Sequence, residues 1–199
     1  MSEKVSKTKL VYGYALGKIK FLHEIADTGA GRGMMANIRR GVGKYPGEIP
    51  ELWGLIFNNI PEELLGIKEA SFAEWAVYTA LTLYALHQQG NEKFMHSEDV
   101  SIGKAASMLV KNEDDEERIR RRLGLAVTAT SPSDLAYYLR GVIQLLSREE
   151  IAIDYARLAK ELYLMNYEES SKAIKLSWGR DFYIRTIKKM EDENKNDRQ

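Results

Sequence analysis

Residues 113–147 read EDDEERIRRRLGLAVTATSPSDLAYYLRGVIQLLS, and two helix starts are written into them. Glu113 to Glu117 place five acids in a row, where the dipole of the following helix favours negative charge. Ser131-Pro132-Ser133-Asp134 supplies a capping hydroxyl, a proline at the first helical position and an acid in the first turn. The helix it opens runs to about Ser147.

Working outward, the same grammar repeats. Leu10, Tyr14, Ile19, Leu22 and Ile25 mark a helix over 8–26. GAGRG at 29–33 breaks it, a short helix follows from Met34 to Arg40, and Gly41 and Gly43 close that one. Pro50 suits the first turn of a helix over Glu51–Asn58. Ser71 and Glu74 have capping-box spacing ahead of an apolar helix that ends near Gly90. Further helices are expected over 100–110, 153–166 and 168–190, and the polar tail EDENKNDRQ reads as frayed. Runs alternating at period two are missing. The expected fold is all-α, with about eight or nine helices in two packed helical lobes. The linker-like stretch 88–99, QQGNEKFMHSED, places the boundary near 90–115, giving lobes 1–95 and 96–199.

Composition bounds the chemistry. The 199 residues are 44% hydrophobic and 29% charged, enough to bury a core without staples. There is no cysteine, which removes disulfides, thiolate metal sites and a cysteine nucleophile. The start MSEKVSKTK lacks a signal-peptide core, and no apolar run reaches the length of a membrane span. A cytoplasmic protein with no membrane partner is expected. His23, His87 and His96 show no metal-ligand spacing, and each reads as a surface or satisfied core histidine. GAGRG follows a helix rather than a strand, so the dinucleotide reading fails its context. No catalytic residue, metal or cofactor is expected.

Zero net charge hides a lopsided distribution. Residues 1–47 carry nine bases against three acids, and residues 48–75 carry one base against six acids. Arg118, Arg120, Arg121 and Arg122 fall within five residues. Arg118, Arg121 and Arg122 share a face, while Arg120 points elsewhere. Intrahelical pairs such as Asp114–Arg118 and Glu117–Arg121 are the bland reading; phosphate contacts are the functional one. Arg39, Arg40 and Lys44 form a second group beside glycines. Arg140 stands alone in the apolar run LAYYLRGVIQLL and calls for an acid or a phosphate. Tyr137 and Tyr138 are adjacent and are expected to face different sides, leaving no aromatic platform. Trp75, Trp178, Phe182 and Tyr183 are expected in the core.

At this point the chain resembles a known family. ERIRRRLGLAVTATSPSDLAYYLRGVIQLL (117–146), IAIDYARLAKELYLMN (151–166) and WGRDFY (178–183) look like the CasB family, the small subunit of the type I-E CRISPR complex Cascade. Ile38-Arg39-Arg40-Gly41, the apolar helix ending at His87 and Ser101-Ile102-Gly103-Lys104-Ala105 agree more loosely. The resemblance implies a non-catalytic helical subunit present in two copies beside other Cascade subunits. It implies backbone contacts to guide RNA and target DNA, including the displaced strand, that stabilise the R-loop. By position it carries over Arg39, Arg40, Arg120, Arg121, Arg122, Lys104 and Arg140, with Lys172 and Lys175 as weaker matches. Lys44 and Arg118 join from the residue pattern. Two departures stand out. ASMLVK is poorer in arginine than the family's helix there, and the acidic run 113–117 suits a junction with a neighbouring subunit. The rival class is a helical protein–protein adaptor without nucleic-acid contact; a third, a metal-dependent helical-bundle enzyme, would need clustered histidines and carboxylates.

Overall fold

A computed structural model describes residues 6–196. Among them are nine α-helices: α1 (Lys7–Ile25), α2 (Gly29–Arg39), α3 (Trp53–Phe57), α4 (Phe72–His87), α5 (Ile102–Met108), α6 (Glu113–Thr128), α7 (Pro132–Arg148), α8 (Tyr155–Leu164) and α9 (Glu168–Asn196). Short 3₁₀ turns at Pro50–Leu52 and Glu62–Leu64 complete the set. No strand occurs among the described residues beyond an isolated bridge between His96 and Ile153. The all-α expectation holds.

The two caps expected from sequence, at Ser71 and Ser131, form, and Asn112 and Asp154 add two more. Ser71 accepts from the Glu74 N–H at 3.0 Å while the Glu74 carboxylate accepts from the Ser71 N–H at 2.6 Å, a complete capping box. Asn112 caps α6, Ser131 caps α7 and Asp154 caps α8 through side-chain oxygens. Each satisfies an orphan amide, worth about 1 kcal/mol.

Two boundaries differ from the sequence reading. GAGRG does not break a helix but opens α2, with Thr28 as its cap accepting from the Gly31 N–H at 2.9 Å. The reason is contact, not flexibility. A Cβ on Gly31 would come within 1.8 Å of the Ile25 carbonyl oxygen, so glycine lets α2 start hard against the end of α1. The tail also differs, because α9 continues to Asn196 instead of fraying from residue 191.

The core is organised around α4. Its sequence FAEWAVYTALTLYALH is apolar nearly all round, and only Phe72, Trp75 and Leu86 reach solvent appreciably. A helix of that kind must be enclosed, and α1, α2, α7 and α8 surround it. α1 contributes the stripe Val11, Ala15, Ile19 and Leu22, which buries against α4 and α8. One core cluster runs from Val11 to Phe182.

The connection 88–99 is held closely. The Gln88 amide donates to the Asn91 and Lys93 carbonyls, both at 2.8 Å, and accepts from the Met95 N–H at 3.0 Å. The Ser97 N–H donates to Ile153 at 3.0 Å, and Met95 and His96 are buried.

α9 docks on α5 at a close approach. A Cβ on Gly103 would lie 2.3 Å from the Trp178 carbonyl oxygen, so only glycine fits. Trp178 and Phe182, one turn apart, are fully buried there; Trp75 is half-buried. Tyr183 departs from its core expectation. It lies one residue, or about 100°, off the buried stripe and is exposed. A polar chain braces the joint. Glu161 accepts from the Trp178 indole N–H and from Arg157 Nε, both at 2.7 Å. Arg157 also reaches Asp181 at 3.5 Å, which accepts from the Ser101 hydroxyl at 2.5 Å. Burial acts against the Arg157 charge, but Glu161, Asp181 and Asp154 outweigh it and hold its pKa above the ordinary value.

Candidate nucleic-acid interface

A three-residue connection folds α7 back along α6. α6 buries Ile119, Leu123 and Ala126; α7 buries Ala136, Leu139, Val142, Ile143 and Leu146. Their outer edges leave an open groove of about 460 Å³ lined by Arg122, Leu125, Tyr137, Tyr138, Arg140, Gly141 and Gln144. Gly141 lies beside the Arg122 guanidinium: a Cβ there would stand 3.4 Å from its Nη1. Neither Arg122 nor Arg140 has an acidic partner within 4 Å among the described residues. Two guanidinium groups thus line one groove without an ion-pair partner among the described residues.

Arg140 is therefore not a buried arginine in an apolar run. The apolar residues of LAYYLRGVIQLL face inward at helical spacing, and Arg140 occupies the outer stripe with Tyr137, Gln144 and Arg148. The tyrosines also depart from expectation. Both line the groove, their rings meeting edge to face at 5.7 Å and 69°. Adjacent helical residues diverge by about 100°, but a cleft between two helices is wide enough to receive both.

The remaining candidates are divided by their acids. Arg121 pairs with Glu117 at 3.0 Å as its spacing implies, whereas Arg118 takes Asp115 at 2.6 Å rather than Asp114. Lys172 is held by Glu168 at 2.9 Å and Glu169 at 3.3 Å, which raise its pKa. Lys44 pairs with Glu48 at 3.3 Å. Arg120 is exposed on α6 and Lys104 is half-buried on α5. Arg40, at the end of α2, is exposed with a long contact to Asn37 at 3.5 Å. Arg39 is half-buried, and desolvation lowers its pKa. Lys175 lines a different cavity, of about 130 Å³, beside Phe72, Trp75 and Met165. The loop after α2 approaches the first turn of α7, since a Cβ on Gly43 would stand 3.9 Å from the Ser133 carbonyl oxygen.

Each histidine has a ring or hydrogen-bond partner, but the buried Nε2 atoms of His87 and His96 have none among the described residues. His23 stacks on Phe94 at 3.9 Å on the surface. His87 Nδ1 shares a 2.8 Å hydrogen bond with the Tyr155 hydroxyl, and His96 Nδ1 accepts from the Tyr155 N–H at 3.1 Å. Among the described residues no group of three His, Asp or Glu side chains is placed to hold a metal ion. No described helix is long and apolar enough to cross a membrane.

Fold and groove together define an all-helical protein with an arginine- and tyrosine-lined cleft between antiparallel helices. The chain belongs to a CRISPR-associated family: the model for CRISPR-associated protein Cse2 matches residues 34–183. Among solved structures, CasB from Thermobifida fusca is similar at 29% identity and a TM-score of 0.75, with 87% of this chain and 98% of that one covered. M. ruber CasB is similar in fold at 22% identity and a TM-score of 0.65, covering 88% and 97%. CasB from Thermus thermophilus follows at 21% and 0.64, covering 85% and 97%. No curated protein sequence matches the chain.

Proposed function

We propose that this chain is the non-catalytic small subunit of a type I-E Cascade complex. It acts in the cytoplasm, in two copies per complex, and holds nucleic-acid backbone so that an opened target duplex stays open. The carrying observation is the convergence of Arg122 and Arg140, without acidic partners, in the α6–α7 groove. Exchange of DNA pairing for RNA–DNA pairing is nearly balanced in energy, so backbone contacts tip it without reading bases. A subunit that captures the displaced strand slows re-annealing. Arginine suits this role because its planar fork is weakly hydrated and matches phosphate. Arg39, Arg40, Lys104 and Arg120 extend the basic surface in this reading. Lys44, Arg118, Arg121 and Lys172 contribute less while their acids hold them.

The test is co-expression with the complex's other subunits and a guide, followed by target retention across a salt series. Two copies in a guide-bearing particle are expected. Retention weakened by Arg122→Gln with Arg140→Gln, at unchanged stoichiometry, supports the assignment. Retention unaffected by the pair removes the groove from it.

A protein–protein role also has an observation behind it. Ile67 is wholly exposed at the tip of a turn. The turn is pinned by bonds from the Gly66 N–H to Glu74 at 2.9 Å and from the Ala70 N–H to the Tyr45 hydroxyl at 2.6 Å. A rigid apolar tip suits an adaptor contact. Loss of co-purification in Ile67→Glu, with nucleic-acid binding intact, would support this second role.

A further inference from the structure

The α6–α7 groove carries more than two cations. Tyr137, on α7, lines it with 68% of its surface open. Tyr138 is half-buried against the core and meets Tyr137 edge to face, at 5.7 Å between centroids. The two rings do not stack on each other. Gln144, on the same outer stripe one turn beyond Arg140, offers an amide donor and acceptor. Leu125, 44% exposed, lines the α6 side of the groove. A groove meant only for phosphate has no use for an open ring and an exposed leucine among its cations.

We infer that the groove takes one unstacked nucleobase of a single strand against Tyr137, with the neighbouring phosphates on Arg122 and Arg140. The inference rests on the backbone-binding reading above and names the part of the ligand that reading leaves out. Every base has a π-face, so such a platform adds affinity without sequence preference. Guanidinium groups beside a stacked base also interact favourably with its ring. A duplex keeps its bases stacked inside and has none to offer. The groove therefore discriminates single from double strand, which backbone charge alone does poorly.

The test uses the full chain and a short labelled single strand, in two forms: one with normal bases and one abasic through its central run. Wild type should bind the intact strand about fivefold or more tightly than the abasic one. Tyr137→Ala should lose a similar factor on the intact strand and little on the abasic strand. Tyr137→Phe should restore it, since the ring is what acts. The slope of log K against log salt should be the same for Tyr137→Ala as for wild type, because no phosphate contact is removed. Tyr137 is on the surface, so its variants should keep their helical circular dichroism and thermal midpoint. Equal affinity for the two strands, or equal losses on both in Tyr137→Ala, overturns the base platform and leaves the backbone reading intact. No salt-dependent binding of either strand by wild type overturns the backbone reading itself, and this inference with it.

Discussion

The indole N–H of Trp178 donates to a carboxylate oxygen of Glu161 at 2.7 Å, inside the joint between α8 and α9. Both side chains are buried, and the other oxygen of Glu161 is held by Arg157. The charge is thus paired and hydrogen-bonded on each side, the condition under which a buried carboxylate is tolerated. Trp178→Phe keeps most of the ring and removes the donor. It should destabilise the fold by about 1–3 kcal/mol in urea denaturation. Trp178→Ala should cost more, about 3–5 kcal/mol. A phenylalanine variant as stable as wild type would show that Arg157 alone satisfies Glu161.

Gly103 and Gly17 should respond to alanine in opposite directions. A Cβ on Gly103 meets the Trp178 backbone at 2.3 Å, so Gly103→Ala pushes α5 from α9 and should lower the thermal midpoint by several degrees. Gly17, inside α1, has open space around the same position. Gly17→Ala should stabilise by up to about 1 kcal/mol through helix propensity. A Gly103→Ala midpoint equal to or above that of wild type would contradict the packing of α9 on α5.

His87 makes stability depend on pH. Burial lowers its pKa to about 4 from the ordinary 6.5, with the Leu146 backbone opposing in part. The unfolded chain therefore binds a proton that the folded chain refuses between these values. Stability from this group is fully present above about 6.5 and falls as pH drops toward about 4, by up to roughly 3 kcal/mol. His96, also lowered by desolvation, adds in the same direction. Urea midpoints at pH 7.5 and pH 5 should differ by more in wild type than in His87→Gln. An equal difference in both would assign the effect to other groups.

The arginines of α6 and α7 should separate by their partners. Arg122→Gln with Arg140→Gln removes two uncompensated charges and should flatten the slope of log K against log salt on single strands by about 1.4. Arg118→Gln with Arg121→Gln removes charges already paired to Asp115 and Glu117, and should flatten it less. The reverse order would place the nucleic acid on the outer face of α6.

The helices were legible because their signals are local. Ser71 and Glu74, or Ser131 and Pro132, act within one turn, and the structure uses them as written. GAGRG misled because glycine in a sequence looks the same whether it loosens a chain or lets two backbones touch; only the carbonyl of Ile25 distinguishes them. The groove was half legible. Arg122 and Arg140 stand out as charges, but the geometry of a single helix sends Tyr137 and Tyr138 to different sides, and only the neighbouring α6 makes one groove of both. The exposed stripe of Tyr137 with Arg140 and Gln144, at three- and four-residue steps, was the available signal. The segments that carry the family resemblance divide between two places: 117–146 lines the groove, and the others hold the fold together. Ser101 and Gly103, Asp154 to Glu161, and Trp178 to Phe182 meet at the braced joint of α5, α8 and α9, away from the groove's lining.

The enclosure of α4 has a consequence during synthesis. Its apolar surface is covered by α1, which precedes it, and by α7 and α8, which follow. α1 in turn waits for α8, over a hundred residues downstream. At 5–20 residues per second, a ribosome exposes the earlier helices for on the order of ten seconds before their cover emerges. Until residue 164 has cleared the exit tunnel, the nascent chain carries that apolar surface without its full cover.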